Sequence, residues 1–186
     1  MADPDSRHAA RTATLAAVPV ALLAGVLAFA LLGGFGGGTP SASGSATPQP
    51  SSTVSVPAQS LSRHAETVCR GFIATLPLTI RGERQRPVST GPEQNAAFGA
   101  PPIVVRCGVP AATVPKTATV YRLGGVCYLA TRQPTGTVWT TVDRTVPVAV
   151  TVPKQRTSPG QWTAEFSDSI AGAVPSLDKA PTGCGE

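Results

Sequence analysis

Four cysteines, Cys69, Cys107, Cys127 and Cys184, carry the most legible chemistry in this chain. Such a set can serve as two disulfides, a metal site or a reactive thiol. No C-x-x-C pair occurs, and neither His8 nor His64 adjoins a cysteine. The spacing therefore favours disulfides over zinc or a thiol redox centre. Hydrolytic chemistry finds less to work with. His64 is the one histidine beyond residue 8, and no G-x-S-x-G elbow accompanies it. The carboxylates Glu66, Glu83, Glu93, Asp143, Glu165, Asp168, Asp178 and Glu186 stand in no recognisable pair. No catalytic residue, metal ligand or cofactor is expected from these patterns, and the chain leans away from being an enzyme.

Arginine offers the other chemistry. Arg81, Arg84 and Arg86 are the densest basic cluster, and Arg106 and Arg144 each lie inside a strand pattern. Guanidinium groups suit bidentate contacts to phosphate or carboxylate, so these five are the candidate anion-binding residues. The structural alternatives are a solvated loop for the cluster, and a salt bridge to Asp143 or Glu165 for the strand pair. Trp139 and Trp162 are expected to cover the core rather than to stack on sugars.

The composition bounds what can position these groups. Hydrophobic residues make up 41% of the 186, charged residues only 13%, and the net charge is +5. A cytosolic domain usually carries about twice that fraction of charge. Aromatics are 5%, and no run of five like charges occurs, so nucleic acid is not an expected partner.

The low charge has a local origin. Residues 1–14 read as a short cytoplasmic tail. Residues 15–35 are uncharged and 17 of the 21 are apolar, enough for a helix to span a hydrocarbon core. Arg7 and Arg11 precede this run and the next basic residue is Arg63, which places the N-terminus inside and the bulk outside. A cleaved signal peptide is the rival, with Gly44-Ser45-Ala46 as a weak site. Residues 36–60 hold seven Ser, four Pro and no charge, and read as a flexible linker.

Residues 61–186 are then the extracytoplasmic domain. Leu61, Ala65, Val68, Cys69, Phe72, Ile73 and Leu76 mark one face of a helix that Pro77 stops. Residues 81–95 are polar, with Gly and Pro, and read as a loop. Strands are expected at 103–109, 117–123, 126–131 and across 138–152, the last split near Asp143-Arg144. Gly124-Gly125 and Gln133-Pro134-Thr135-Gly136 are the turns. Ser158-Pro159-Gly160-Gln161 has the order of an N-cap and first turn. Trp162, Phe166, Ile170 and Val174 would form that helix's buried stripe, ended by Pro175. The expected fold is α+β: a small, mostly antiparallel sheet of four to five strands with two flanking helices. One transmembrane helix and a disordered stalk would precede it.

Four cysteines allow three connectivities. Cys69 shares the apolar face of the first helix, and Cys107 that of the first strand. Both faces must meet one core, which pairs Cys69 with Cys107 and leaves Cys127 with Cys184.

One segment also resembles a known family. GAPPIVVRCGVP at 99–110, preceded by Ala97-Phe98, is similar to the core signature of the actinobacterial domain of unknown function 3515. Cys69, Leu76-Pro77, Gly124-Gly125-Val126, Thr140-Thr141, Arg144 and Val152-Pro153 match its weaker features in order. Cys127 and Cys184 are additions to that pattern. The resemblance implies a membrane-anchored or secreted protein and supplies no activity. The expected role is a non-catalytic binding or scaffold module of the cell envelope, its partner a wall polymer or a membrane protein. An envelope hydrolase or transferase is the alternative.

Overall fold

Ser62 opens the first helix, α1 (Arg63–Thr75): its hydroxyl accepts from the Ala65 N–H at 3.2 Å. Leu76 ends it in an extended conformation, as a residue before proline must. The periodicity holds in three dimensions. Cys69, Phe72 and Leu76 are buried, while Arg63, His64, Glu66 and Arg70 are exposed. The computed structural model describes residues 50–184. The expected cytoplasmic tail (1–14) and membrane helix (15–35) lie outside that range. Among the described residues no helix is long and apolar enough to cross a membrane.

Eight strands follow: β1 (Thr79–Ile80), β2 (Glu83–Arg86), β3 (Asn95–Phe98), β4 (Ile103–Cys107), β5 (Val120–Leu123), β6 (Val126–Gln133), β7 (Gly136–Thr141) and β8 (Val148–Pro153). They form one sheet in the order β1-β2-β3-β4-β8-β7-β6-β5, antiparallel at every pairing. Strands β4 to β8 are the five expected ones. The other three correct both the expected strand count and the loop assigned to 81–95. Periodicity misses them for a physical reason. Strand β1 has two residues, β2 is Glu-Arg-Gln-Arg, and β3 is Asn-Ala-Ala-Phe and buried on both faces, so none alternates.

The hairpin turns form where expected. Gly124 and Gly125 both have positive φ (53° and 76°), the conformation a two-residue hairpin demands. Gln133 pairs with Gly136 across the second turn. A subtler correction concerns 138–152, where valines fill the even positions. In β8 the even residues Val148, Val150 and Val152 do face the core. In β7 the odd residue Trp139 pairs with Val150 and is buried. The side-chain phase therefore inverts between the two strands. The inversion happens over 142–147, where Asp143 and Arg144 leave the ladder.

The second expected helix is two short ones, α2 (Pro159–Ala164) and α3 (Ser167–Ala173). Ser158 precedes Pro159 as anticipated, but it sits in the left-handed region (φ 52°) and makes no side-chain cap. Phe166, Ile170 and Val174 are buried as expected, with Trp162 half-buried beside them. Helices α1, α2 and α3 cover one face of the sheet. Phe72, Phe98, Ile103, Val105, Tyr128, Val148, Val150, Phe166 and Ile170 fill the space between.

The opposite face is covered by irregular chain. Val54 and Val56 are 8% and 2% exposed and pack on Ala97, Val88 and Val104. Val54 forms a parallel bridge with Val88, its N–H donating to the Pro87 carbonyl at 2.8 Å. Residues 52–60, which composition assigns to the linker, are therefore a strap on the folded unit. At the other end of this face, Cys127, Val142 and Cys184 make a small cluster with Ala112, Val114, Val120 and Leu129.

Both disulfides join the expected partners. Cys69–Cys107 bridges α1 to β4 with Cα atoms 5.5 Å apart. Cys127–Cys184 ties the C-terminal tail to β6 at 5.8 Å, and no cysteine is free.

Candidate anion-binding site

The arginines close in sequence do not form one cluster in space. Along β2, Glu83 and Gln85 alternate with Arg84 and Arg86, which sends the two pairs to opposite faces. Arg86 reaches the strap: its Nη2 donates to the Ser52 carbonyl and hydroxyl, both at 2.8 Å, and its Nη1 to the Gly99 carbonyl at 2.8 Å. Arg81 lies on the helix side, 3.6 Å from Glu165, with its guanidinium 5.0 Å from the Trp162 ring centre. Arg84 is exposed on β2.

The two strand arginines also have protein partners. Arg106 lies on the strap side of β4, opposite Asn95 on one neighbour and Ala149 on the other. With the Gln59 side-chain amide of the strap oriented to satisfy both its ends, its oxygen accepts from the Arg106 Nη2, and the Arg106 Nε is buried without a partner. Arg144 is buried and faces carbonyls at the sheet end. Its anticipated salt bridge to Asp143 forms, at 3.4 Å and without hydrogen-bond geometry.

A different basic group emerges on the helix side. The Arg156 Nη1 donates to Glu83 at 2.5 Å, and its Nη2 to the Pro101 carbonyl at 3.2 Å. Its guanidinium also lies 5.1 Å from the Trp162 ring centre. Trp162 thus carries two guanidinium groups, each attracted by the ring quadrupole. Gly99 makes room for this arrangement. It holds φ +66°, and a Cβ there would collide with the Glu83 carboxylate and crowd the Arg156 Nη2.

Arg156 forms one wall of a concavity of about 280 Å³ between the β6–β7 turn, the end of β8 and the start of α2. Arg132, Lys154, Gln133 and Thr137 supply the polar lining, Val152 and Pro159 the apolar part. Three cations and no carboxylate line it. A second concavity, of about 620 Å³, lies where residues 58–61 meet α1, and is mixed in charge through Glu66, Arg70 and Glu93. His64 is exposed on α1.

Sequence reasoning missed the group because Arg132 lies 22 positions before Lys154, and Lys154-Gln155-Arg156 alone is a shorter basic stretch than the one at 81–86. The hairpin of β6 with β7, and the pairing of β7 with β8, bring them to one end of the sheet. The visible signal was the turn at 133–136, which predicts that chain on either side returns to the same place.

A family model described as "Protein of unknown function (DUF3515)" matches residues 16–178. No curated protein and no solved structure matches the chain.

Proposed function

Because the chain belongs to the DUF3515 family of proteins of unknown function, whose description names no reaction, we propose a role from its own residues. The protein is a single-pass, membrane-anchored module whose disulfide-stapled domain lies outside the membrane and binds a partner without catalysing a reaction. The partner is a wall polymer or a membrane protein of the cell envelope. The observation that carries this reading is the pairing of all four cysteines within one domain. Disulfides persist in oxidising compartments and are rare in the cytosol. The uncharged run at 15–35, with Arg7 and Arg11 before it, supplies the anchor and its orientation.

Two measurements test the role. In intact cells, external protease should remove the domain and leave a membrane-bound fragment containing residues 15–35. Recovery of the full chain from the soluble cytoplasmic fraction would overturn the topology. Crosslinking of the anchored protein in membranes should then yield one reproducible adduct. Recovery of the protein alone would count against a scaffold.

A further inference from the structure

We propose that the concavity at the end of β6, β7 and β8 is a binding site for a phosphate dianion. The occupant would be a phosphate monoester, held by Arg132 and Lys154 against the fixed charge of Arg156. The inference rests on the binding-module reading above and names the ligand chemistry of one part of its surface.

Charge count comes first. Arg132, Lys154 and Arg156 bring three positive charges to the lining. Glu83 offsets one by pairing with Arg156. Two remain, which a phosphate dianion balances and a single carboxylate does not. Neither Arg132 nor Lys154 has an acidic partner among the described residues, and both are exposed, so their donors face solvent.

Preorganisation comes second. Arg156 is held by Glu83, by the Pro101 carbonyl and by the Trp162 ring. Its charge is in place before any ligand arrives, so little side-chain entropy is lost on binding. Thr137 and Gln133 add neutral polar residues to the lining. A volume of about 280 Å³ suits a head-group-sized molecule rather than a length of polymer.

Calorimetry on the full-length chain in neutral detergent at low salt tests the site, with glycerol 3-phosphate as the probe. Saturable one-to-one binding is expected. Arg132→Gln and Lys154→Gln should each weaken it by about fivefold or more. Both residues are exposed, so the fold survives either change. Lys116→Gln, outside the concavity, should leave it unchanged. Glycerate, which carries a carboxylate instead, should bind more weakly. Absence of saturable binding, equal loss in Lys116→Gln, or equal binding of glycerate would each overturn the proposal. Dihexanoyl phosphatidic acid, with dihexanoyl phosphatidylcholine as control, identifies the source. Tighter binding of the acid supports a lipid head group, and tighter binding of glycerol 3-phosphate supports a soluble ligand. Unchanged affinity in the two pocket variants sinks this site alone, whereas a missing membrane adduct sinks the module.

Discussion

Arg144 shows how a single residue is committed by its surroundings. Its Nη1 donates to the Ser176 hydroxyl at 2.7 Å and the Val174 carbonyl at 3.3 Å, and its Nη2 to the Gly125 carbonyl at 2.8 Å. One guanidinium thereby joins the β5–β6 turn to the chain leaving α3. A buried donor set of this kind holds the fold together and has little left for a ligand. Arg144→Met should cost about 2–4 kcal/mol in urea unfolding, because the carbonyls and Asp143 lose their partner inside the protein. Arg144→Lys should recover only part, since one ammonium cannot span the same fork. Tyr128 gives a second residue-scale outcome. Burial pushes its phenol well above the usual range, opposed in part by the 3.0 Å hydrogen bond with Ser167. The neutral form is the one the fold keeps. Its contribution is complete below about pH 10, the unfolded value, and is lost as pH rises above it. Unfolding followed between pH 8 and 12 should show this alkaline loss, and Tyr128→Phe should diminish it.

At the scale of elements, the strap and the sheet edge matter most. Strand β2 carries polar side chains on both faces, and β3 is four residues long. Each is stable only because a neighbour satisfies its backbone. The strap contributes to this by hydrogen bonds with 87–89 and by burying Val54 and Val56. Its other contacts are side-chain bridges, such as the Gln94 amide exchanging two hydrogen bonds with the Gln59 backbone at 2.9 and 3.1 Å. Val54→Ser with Val56→Ser should release it. Global stability should fall by about 2 kcal/mol or less, as local openings are cheaper than unfolding. Hydrogen exchange at the Gln59 and Ser89 amides should accelerate far more than exchange in β4 or β8. Equal acceleration everywhere would show that the strap is part of the cooperative core.

For the whole molecule, the two disulfides are the main covalent constraint. Their partners are 38 and 57 residues apart, and chain entropy assigns each about 4 kcal/mol. Their surroundings differ. Cys69 and Cys107 sit in the main core, at 0% and 1% exposure, so their loss also leaves poorly packed space. Cys184 lies on a tail whose preceding residues, Ser176 to Ala180, are exposed. That tail can fray when released, and the entropy it regains offsets part of the loss. Replacing Cys69 and Cys107 by Ala should therefore lower the urea midpoint clearly more than replacing Cys127 and Cys184.

What the sequence alone determined was whatever depends on neighbours along the chain. The periodicity of Cys69, Phe72 and Leu76 defined α1. The glycine pair at 124–125 and the turn at 133–136 defined two hairpins. Face parity placed Cys69 opposite Cys107, because an apolar stripe has only one core to meet, and the remaining pair followed. The tertiary structure decided the rest. It made strands of β1, β2 and β3, docked the strap, inverted the phase between β7 and β8, and committed Arg144 to carbonyls. It also gathered Arg132, Lys154 and Arg156 into one concavity. The strap, Arg144 and the three cations are each placed by contacts with residues distant in sequence. A short polar segment becomes a strand only when another strand lends it hydrogen bonds, and scattered cations meet only when the sheet brings them to the same end.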